Sequence, residues 1–131
     1  MIDYMKINLM NLKLLTLLIP LISLNIISED SIDVSEVRKY VGTLQNVCGR
    51  VISTKYLKRT SGGPIFLNMG RDYPNQQLTG LIWYGRYKSN FSYRPDKFLK
   101  RKTVCIKGNV GVFEGTPQIQ INSESQITLV D

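Results

Sequence analysis

Val-Cys-Gly-Arg-Val at residues 47–51 and Val-Cys-Ile-Lys-Gly-Asn-Val at residues 104–110 decide how this chain folds. Each stretch sets a cysteine and a glycine inside a run of β-branched residues, which favours a strand that can bend or bulge at its glycine. Because the two stretches share one signature, we expect them to be neighbours, the first and fourth strands of a small closed barrel.

Side chains alternate along a strand, so these stretches have a core face and an outer face. The residues of core parity are Val47, Val51, Val104, Ile106, Val110 and Val112. Cys48 and Cys105, the only two cysteines, take the opposite parity on neighbouring strands. We therefore expect a Cys48–Cys105 disulfide; the alternative is two small buried thiols. We expect no metal site, because two cysteines in a chain without histidine do not complete the usual tetrahedral set.

Apolar runs separated by turns rich in glycine, proline and asparagine predict five strands. The predicted strands are 44–57, 65–69, 78–84, 103–113 and 118–121, the last resuming at 126–130 after a kink at Ser123. Asp33 and Glu36 form a capping-box pattern before a short helix that ends at Gly42. Residues 85–102 form a long connector, with a helical turn at 96–99. This order predicts an all-β fold, a five-stranded OB-fold Greek-key barrel with a short N-terminal helix.

Residues 41–130 also resemble a group of small bacterial OB-fold domains thought to bind nucleic acid. The matching elements, in order, are Gly42, Val47–Val51, Phe66–Gly70, Tyr73–Asn75, Val104–Val110 and Gly115–Ile119. Each motif is short, so the ordered set is specific for the fold more than for one ligand. The resemblance implies an OB-fold domain of the nucleic-acid-binding type.

The first 28 residues have the organisation of a secretory signal peptide. Lys6 and Lys13 precede an apolar run, residues 14–27, which ends at Ser28 before two acidic residues. The run is short for a membrane span. We therefore expect a signal peptide at 1–28, no integral membrane domain beyond it, and an OB-fold domain at 29–131 that is exported to the periplasm or the cell exterior. An uncleaved N-terminal membrane anchor is the alternative.

Charge and composition restrict the possible partners. The chain is 43% hydrophobic and 21% charged, as in globular rather than disordered proteins. It carries 17 basic and 10 acidic residues, a net charge of +7. Removal of residues 1–28 takes away Lys6, Lys13 and Asp3, which leaves 15 basic and 9 acidic residues and a net charge of +6. This positive charge favours an anionic partner such as nucleic acid, acidic lipid or acidic polysaccharide.

Single-stranded nucleic acid is bound by cations that contact phosphates and by flat rings that stack on bases. In an OB-fold we expect these residues on the second and third strands and the loops beside them. The candidate phosphate contacts are Lys55, Lys58, Arg59 and Arg71, and the candidate stacking platforms are Tyr56, Phe66, Tyr73 and Trp83. Parity leaves open whether Trp83 or Tyr84 faces outward. The sequence thus predicts an exported module that binds single-stranded DNA or RNA with little sequence preference.

Two other functions compete with this prediction. An exported OB-fold with aromatic, Asn and Gln side chains also suits an oligosaccharide or a protein partner, although sugar binding would respond little to salt. Nuclease activity needs grouped acids and a general base. The acids Asp72, Asp96 and Glu114 are scattered and the chain has no histidine, so we expect no enzyme, no catalytic residue and no cofactor.

Overall fold

The structure, a computed structural model, describes residues 30–130, whose regular structure is mainly β-strand. The predicted signal peptide at 1–28, Glu29 and Asp131 lie outside the described residues. In chain order the elements are β1 (Ile32–Asp33), a first 3₁₀ helix (Val34–Tyr40), β2 (Leu44–Tyr56), β3 (Ile65–Met69), β4 (Leu78–Ile82), α1 (Tyr84–Asn90), α2 (Pro95–Phe98), β5 (Thr103–Asn109), β6 (Gly111–Phe113), β7 (Thr116–Gln120), a second 3₁₀ helix (Glu124–Gln126) and β8 (Ile127–Leu129).

The strands form a mixed sheet in the order β6-β7-β4-β3-β2-β5-β8, and β1 pairs with β2. At 13 residues, β2 is long enough to pair with β5 through its first part and with β3 through its last part. The predicted first and fourth strands are therefore neighbours. β4 and β7 run parallel, whereas β3 and β4 are antiparallel. This arrangement is consistent with an OB-like all-β fold.

The predicted fourth strand is divided at Val110 into two strands with different partners. β5 pairs with β2, and β6 pairs with β7. Val110 is buried, but Val112 is 51% exposed. The prediction that Val112 faces the core is wrong, because the break at Val110 carries the next residues out along an edge of the sheet. The two predicted parts of the fifth strand correspond to β7 and β8, which are separated by the second 3₁₀ helix. Together with the unpredicted β1, residues 30–130 therefore contain eight strands rather than five.

A 3₁₀ helix occupies the place of the predicted N-terminal helix. Its cap is Asp33, whose carboxylate accepts hydrogen bonds from the hydroxyl and the backbone N–H of Ser35 at 2.5 and 2.9 Å. These bonds hold the pKa of Asp33 below its ordinary value. Val34 and Val37 are buried. A Cβ at Gly49 would lie 2.5 Å from Cγ1 of Val34, so this glycine of β2 permits the close approach of the helix.

The long connector between β4 and β5 contains two helices. The sequence predicted a turn near α2, but it did not predict α1. Tyr87, Phe91 and Tyr93 pack against the core as partly buried side chains, and Leu99 is fully buried. The aromatic residues of the connector therefore close one end of the core. No helix within residues 30–130 has the length and apolar character needed to cross a membrane.

The predicted disulfide is confirmed. Cys48 and Cys105 are direct partners in the register of β2 and β5, and their sulfur atoms are bonded. Val47 and Val104, of the opposite parity, are fully buried. The two cysteines therefore lie on the outer side of the strand pair, and the alternative of two free thiols is wrong.

Candidate functional site

The side of β2, β3, β4 and β7 that points away from the core carries a row of paired residues. Lys55 is opposite Phe66, and Phe66 is opposite Leu81. Leu81 is in turn paired with Gln120 on β7. Directly opposed residues share a face, with Cβ atoms about 5 Å apart. We call this side the outer face. Lys55 on it is exposed and Phe66 is half-buried.

A second row of the outer face is polar. Its members are Ser53, Asn68, Thr79 and Gln118. Asn68 and Thr79 are only 5% and 6% exposed. Nδ2 of Asn68 donates to Oγ of Ser53 at 3.1 Å, and Nε2 of Gln76 donates to Oγ1 of Thr79 at 3.1 Å. The buried polar groups of this row therefore bind the protein itself, and Gln76 ties loop 70–77 to the sheet.

Trp83 lies between β4 and α1 with an extended backbone, φ −79° and ψ 146°. The alternation of β4 therefore continues by one residue and places Trp83 on the side of Leu81, the outer face. A Cβ at Gly62 would lie 2.8 Å from the ring of Trp83, and Gly62 has a φ of +81°. The ring thus packs on a glycine of loop 57–64 and remains 38% exposed. Trp83, not Tyr84, extends the face that carries Phe66.

Tyr56 follows Lys55 by one residue and points to the opposite side of the sheet, toward the end of the core. Its ring packs edge-on against Tyr87, with 6.2 Å between centroids. Nζ of Lys58 and Cζ of Arg94 lie 5.6 and 5.7 Å from the centroid of the same ring. Burial raises the pKa of the Tyr56 hydroxyl. This half-buried ring therefore belongs to a cluster of rings and cations at the end of the core and not to the outer face.

Arg71 and Tyr73 lie beyond the other end of β3, in loop 70–77. Both are exposed, Tyr73 at 71%. About 14 Å of strand separates Phe66 from this loop. Between the two residues, Asp72 accepts hydrogen bonds from Oγ of Ser53 and from the backbone N–H of Tyr73 at 2.5 and 2.7 Å. These bonds hold the pKa of Asp72 below its ordinary value.

The predicted site residues therefore occupy four places. The outer face carries Lys55, Phe66 and Trp83, and the cluster of rings and cations at the end of the core contains Tyr56 and Lys58. Loop 70–77 contains Arg71 and Tyr73, and loop 57–64 contains the exposed Arg59. The cluster at the end of the core also contains Tyr87 and Arg94, which were not among the predicted site residues. The mixture of basic and aromatic residues in 84–98 was the signal that could have indicated them.

The outer face carries the exposed Lys55, the half-buried ring of Phe66 and the exposed ring of Trp83. Within residues 30–130 the salt bridges are Lys39–Glu36 and Arg94–Asp96. Lys55 therefore has no ion-pair partner in the described part of the chain. No three side chains among the described His, Cys, Asp and Glu residues are grouped so that they could hold a metal ion. The chemistry available on this face is electrostatic attraction of anions and stacking on aromatic rings.

A cleft of about 850 Å³ opens where β5 and β7 diverge. Its lining is rich in amides, Asn109, Gln118, Gln120, Asn122 and Gln126, with the exposed apolar side chains of Leu44, Val112 and Phe113. Gln126 bridges the gap, because its Nε2 donates to the carbonyl of Lys107 at 2.9 Å and its Oε1 accepts from the N–H of Asn122 at 2.7 Å. Gln118 and Gln120 also belong to the outer face, so this cleft continues it.

No protein-family model matches the chain, and no curated protein matches it. Among solved structures, the chain is similar to one described as an aspartyl-tRNA synthetase from Leishmania major Friedlin, with a TM-score of 0.51, 16% identity, and coverage of 82% of this chain and 22% of that one. It also matches an aspartyl tRNA synthetase from Entamoeba histolytica, with a TM-score of 0.48, 14% identity, and coverage of 79% and 21%. The chain thus spans about a fifth of the length of these proteins. The first similarity shows the fold alone, an OB-like all-β domain.

Proposed function

We propose that this chain binds single-stranded DNA or RNA on its outer face, at the end next to loop 57–64. The observation that carries the proposal is the direct pairing of Lys55 with Phe66, beside the exposed ring of Trp83. An OB-fold binds oligonucleotides on this part of its sheet. The similarity to a synthetase named for its action on a tRNA supports the same class of ligand.

The expected energetics follow from two kinds of contact. Phe66 and Trp83 would each contribute about 1–3 kcal/mol by stacking on a base. Lys55 and the exposed Arg59 would contact phosphates, which makes the affinity fall with salt. Asn68 and Thr79 already bind the protein's own side chains, so they do not read base edges. Stacking and phosphate contacts tolerate any sequence, and this is why we propose little sequence preference.

The proposed binding role has a location outside the cytoplasm and involves no catalysis. We propose export to the periplasm or the cell exterior through the signal peptide at 1–28, and a binding role without catalysis. Nucleic acid outside the cytoplasm would be met in DNA uptake, in scavenging or in a biofilm matrix. Fractionation of cells, followed by N-terminal sequencing of the mature protein, tests this part. Recovery of the full-length chain from the cytoplasm alone would contradict it.

Trp83 is the only tryptophan, so its fluorescence reports on the proposed site directly. We expect titration with oligo-dT or oligo-U at low salt to quench this fluorescence, because a base stacks on the indole. The dissociation constant should lie at or below the range of about 10⁻⁴–10⁻⁶ M that non-specific binders show at physiological salt. Parallel titrations with neutral oligosaccharides are the control that shows whether binding depends on the charge of the ligand.

The dependence of the affinity on salt concentration tests whether the chain contacts phosphates. Steep weakening with added salt is expected for phosphate contacts. Binding weaker than about millimolar at low salt would refute the proposal, because non-specific electrostatic binders reach micromolar affinities. Anisotropy of a labelled oligonucleotide with the Trp83→Phe variant separates loss of the fluorescence signal from loss of binding.

A second candidate function is supported by the amide-lined cleft between β5 and β7. Amide side chains and the 61% exposed ring of Phe113 suit the hydroxyl groups and apolar faces of a neutral oligosaccharide, and a protein partner could use the same exposed apolar side chains. Binding there should be insensitive to salt and should be lost in the Phe113→Ser variant. This candidate would be excluded if the wild-type chain bound no neutral oligosaccharide and the Phe113→Ser variant bound oligonucleotides as the wild type does.

A further inference from the structure

A second cleft lies near the middle of β2, away from loop 57–64, and its lining includes Arg50 and Arg101. The cleft measures about 440 Å³ and is lined by Arg50, Ile52, Asp72 and Arg101. Both arginines are exposed. Within residues 30–130, neither guanidinium group forms a salt bridge or a hydrogen bond. Two permanent cations thus share one concave surface with a single carboxylate, Asp72, and neither forms a salt bridge with it.

The backbone at Arg101 is unusual for a residue with a side chain. Its φ is +67°, in the left-handed region that favours glycine. The main chain holds it there, because the N–H of Arg101 donates to the carbonyl of Val51 at 2.7 Å and the carbonyl of Lys102 accepts from the N–H of Val51 at 2.9 Å. Glycine would fit this turn with less strain, so stability does not account for an arginine. Strained residues of this kind concentrate at functional sites.

The one carboxylate of the cleft is already engaged. Asp72 accepts hydrogen bonds from Ser53 and from the N–H of Tyr73. Those bonds and, to a smaller degree, the charge of Lys100 lower the pKa of Asp72 and keep its carboxylate ionised. Since two arginines and the nearby Lys100 surround a single carboxylate, the surroundings of the cleft have an excess of positive charge.

Arg50 lies on the same side of β2 as Lys55. Val51 is buried in the core, so its neighbour Arg50 points outward. The register with β3 shifts between Val51 and Ser53, and this bulge returns Ser53 and Lys55 to the outer face. Along β2, Arg50 and Lys55 are about 15 Å apart. The outer side of β2 therefore carries one cation near the middle of the strand, Arg50, and a second near its end, Lys55.

We propose that the cleft of Arg50 and Arg101 binds a backbone phosphate of the same strand whose bases stack at Phe66 and Trp83. This inference rests on the proposed function and extends its footprint along β2. Guanidinium groups bind phosphate through paired, planar hydrogen bonds, so two of them in one cleft form a stronger phosphate contact than scattered lysines. The occupant is a phosphodiester, and a free phosphate is the minimal probe of the same chemistry.

The double variant Arg50→Gln/Arg101→Gln tests this contact. If the cleft neutralises one backbone phosphate, the slope of log K against log salt for a long oligo-dT should fall in magnitude by about 0.7 in this variant. An oligonucleotide too short to reach from Phe66 to the cleft should bind the variant as it binds the wild type. The matched control is Arg38→Gln/Lys39→Gln, which removes two exposed charges from the 3₁₀ helix and should leave the slope nearly unchanged. Equal slopes in the two double variants would overturn the inference.

The Arg101→Gly variant separates a binding role from a structural one. Glycine relieves the left-handed backbone and removes the guanidinium group. We expect a higher melting temperature together with weaker binding of the long oligonucleotide. A higher melting temperature with unchanged binding would overturn the inference, and so would a fall in the melting temperature, because it would give the side chain a structural role.

Inorganic phosphate distinguishes failure of this inference from failure of the proposed function. NMR signals of the Arg50 and Arg101 Nε–H groups, assigned with the single Gln variants, should shift when phosphate replaces chloride at constant ionic strength. Shifts without any oligonucleotide binding would support an anion site and refute the nucleic-acid function. Oligonucleotide binding without shifts and without an effect of the double variant would leave the function in place and refute the cleft.

Discussion

Lys55 on β2 and Phe66 on β3 are a direct cross-strand pair on the outer face of the sheet. The pair brings a flexible cation and a flat ring together, with Cβ atoms about 5 Å apart. On its other side Phe66 is opposite Leu81, which is 5% exposed, so the ring is supported by a buried aliphatic residue. One phosphate contact and one stacking contact are therefore adjacent, yet each belongs to a different side chain and can be removed alone.

Replacement of Phe66 by leucine should weaken oligonucleotide binding by about 1–3 kcal/mol, because an aliphatic side chain cannot stack on a base. Leucine keeps the half-buried part of the site apolar, so the fold should be retained. The slope of log K against log salt should not change, since no charge is lost. Anisotropy titrations at several salt concentrations measure both quantities. A changed slope with unchanged affinity at low salt would contradict the assignment of Phe66 as a stacking platform.

Replacement of Lys55 by glutamine should lower the magnitude of the salt slope by about 0.7, the value for one phosphate contact with a single strand. The affinity at low salt should fall more than the affinity at high salt. Lys39→Gln is the matched control, because Lys39 pairs with Glu36 on the 3₁₀ helix and lies outside the outer face. If both variants changed the slope equally, the effect would come from net charge and not from a contact of Lys55.

The disulfide should contribute substantially to stability. Cys48 and Cys105 are 57 residues apart in sequence, and closing a loop of this length costs the unfolded chain conformational entropy equivalent to about 4 kcal/mol at 25 °C. Cys48→Ala/Cys105→Ala should therefore lower the free energy of urea unfolding by roughly that amount. Alkylation without reductant should leave the intact mass of the wild type unchanged, and labelled protein would show that the thiols are free.

Alanine at Gly49 should destabilise the fold, because its Cβ would lie 2.5 Å from Cγ1 of Val34. Overpacking of this kind costs about 1–3 kcal/mol. Gly85→Ala is the control: nothing lies within 4 Å of a Cβ at Gly85, and the position is inside α1, where alanine is favoured over glycine by up to about 1 kcal/mol. Urea unfolding midpoints measure both. Similar midpoints for the two variants would show that the helix does not pack closely on β2.

Asp72→Asn should lower stability at neutral pH and have no effect in acid. The pKa of Asp72 is lowered in the folded protein, chiefly by the hydrogen bond from Ser53. The ionised carboxylate therefore stabilises the fold above its unfolded pKa of about 3.9, and this contribution disappears as the pH falls through the lower folded value. Unfolding by urea at a series of pH values measures the difference between wild type and variant. A difference that persisted unchanged below both pKa values would contradict this origin.

The alternation of side chains predicted much of the sheet correctly. β3 has the predicted bounds, and Cys48 and Cys105 were assigned to one side of neighbouring strands from parity alone. Alternation failed at Val110, because a strand that leaves one partner and joins another keeps its β-branched composition through the break. α1 was missed for a related reason: its residues carry few apolar side chains at helical spacing, and the one ring that packs on the core, that of Tyr87, meets a core formed by other elements.

The sequence indicated which residue types could form a candidate site, but not which of these residues share a surface. Lys55 and Tyr56 are consecutive in a strand, so parity alone is sufficient to place them on opposite sides of the sheet. Parity could not tell whether Trp83 or Tyr84 faces outward, since that depends on which side of β4 meets the core. Arg50 and Arg101 are 51 positions apart in sequence, and no local pattern connects them.

Local chemistry in the sequence determined the β-rich character, the cysteine pairing and the supply of cations and rings, because strand alternation and side-chain type are properties of neighbouring residues. Only the tertiary structure decided which of those groups meet. Asn68 forms a hydrogen bond with Ser53 on β2, and Thr79 forms one with Gln76 of loop 70–77. The ring of Tyr56 packs at the end of the core. Long-range packing selects one face for each strand and one neighbour for each loop, and these choices arise from contacts between residues distant in the chain.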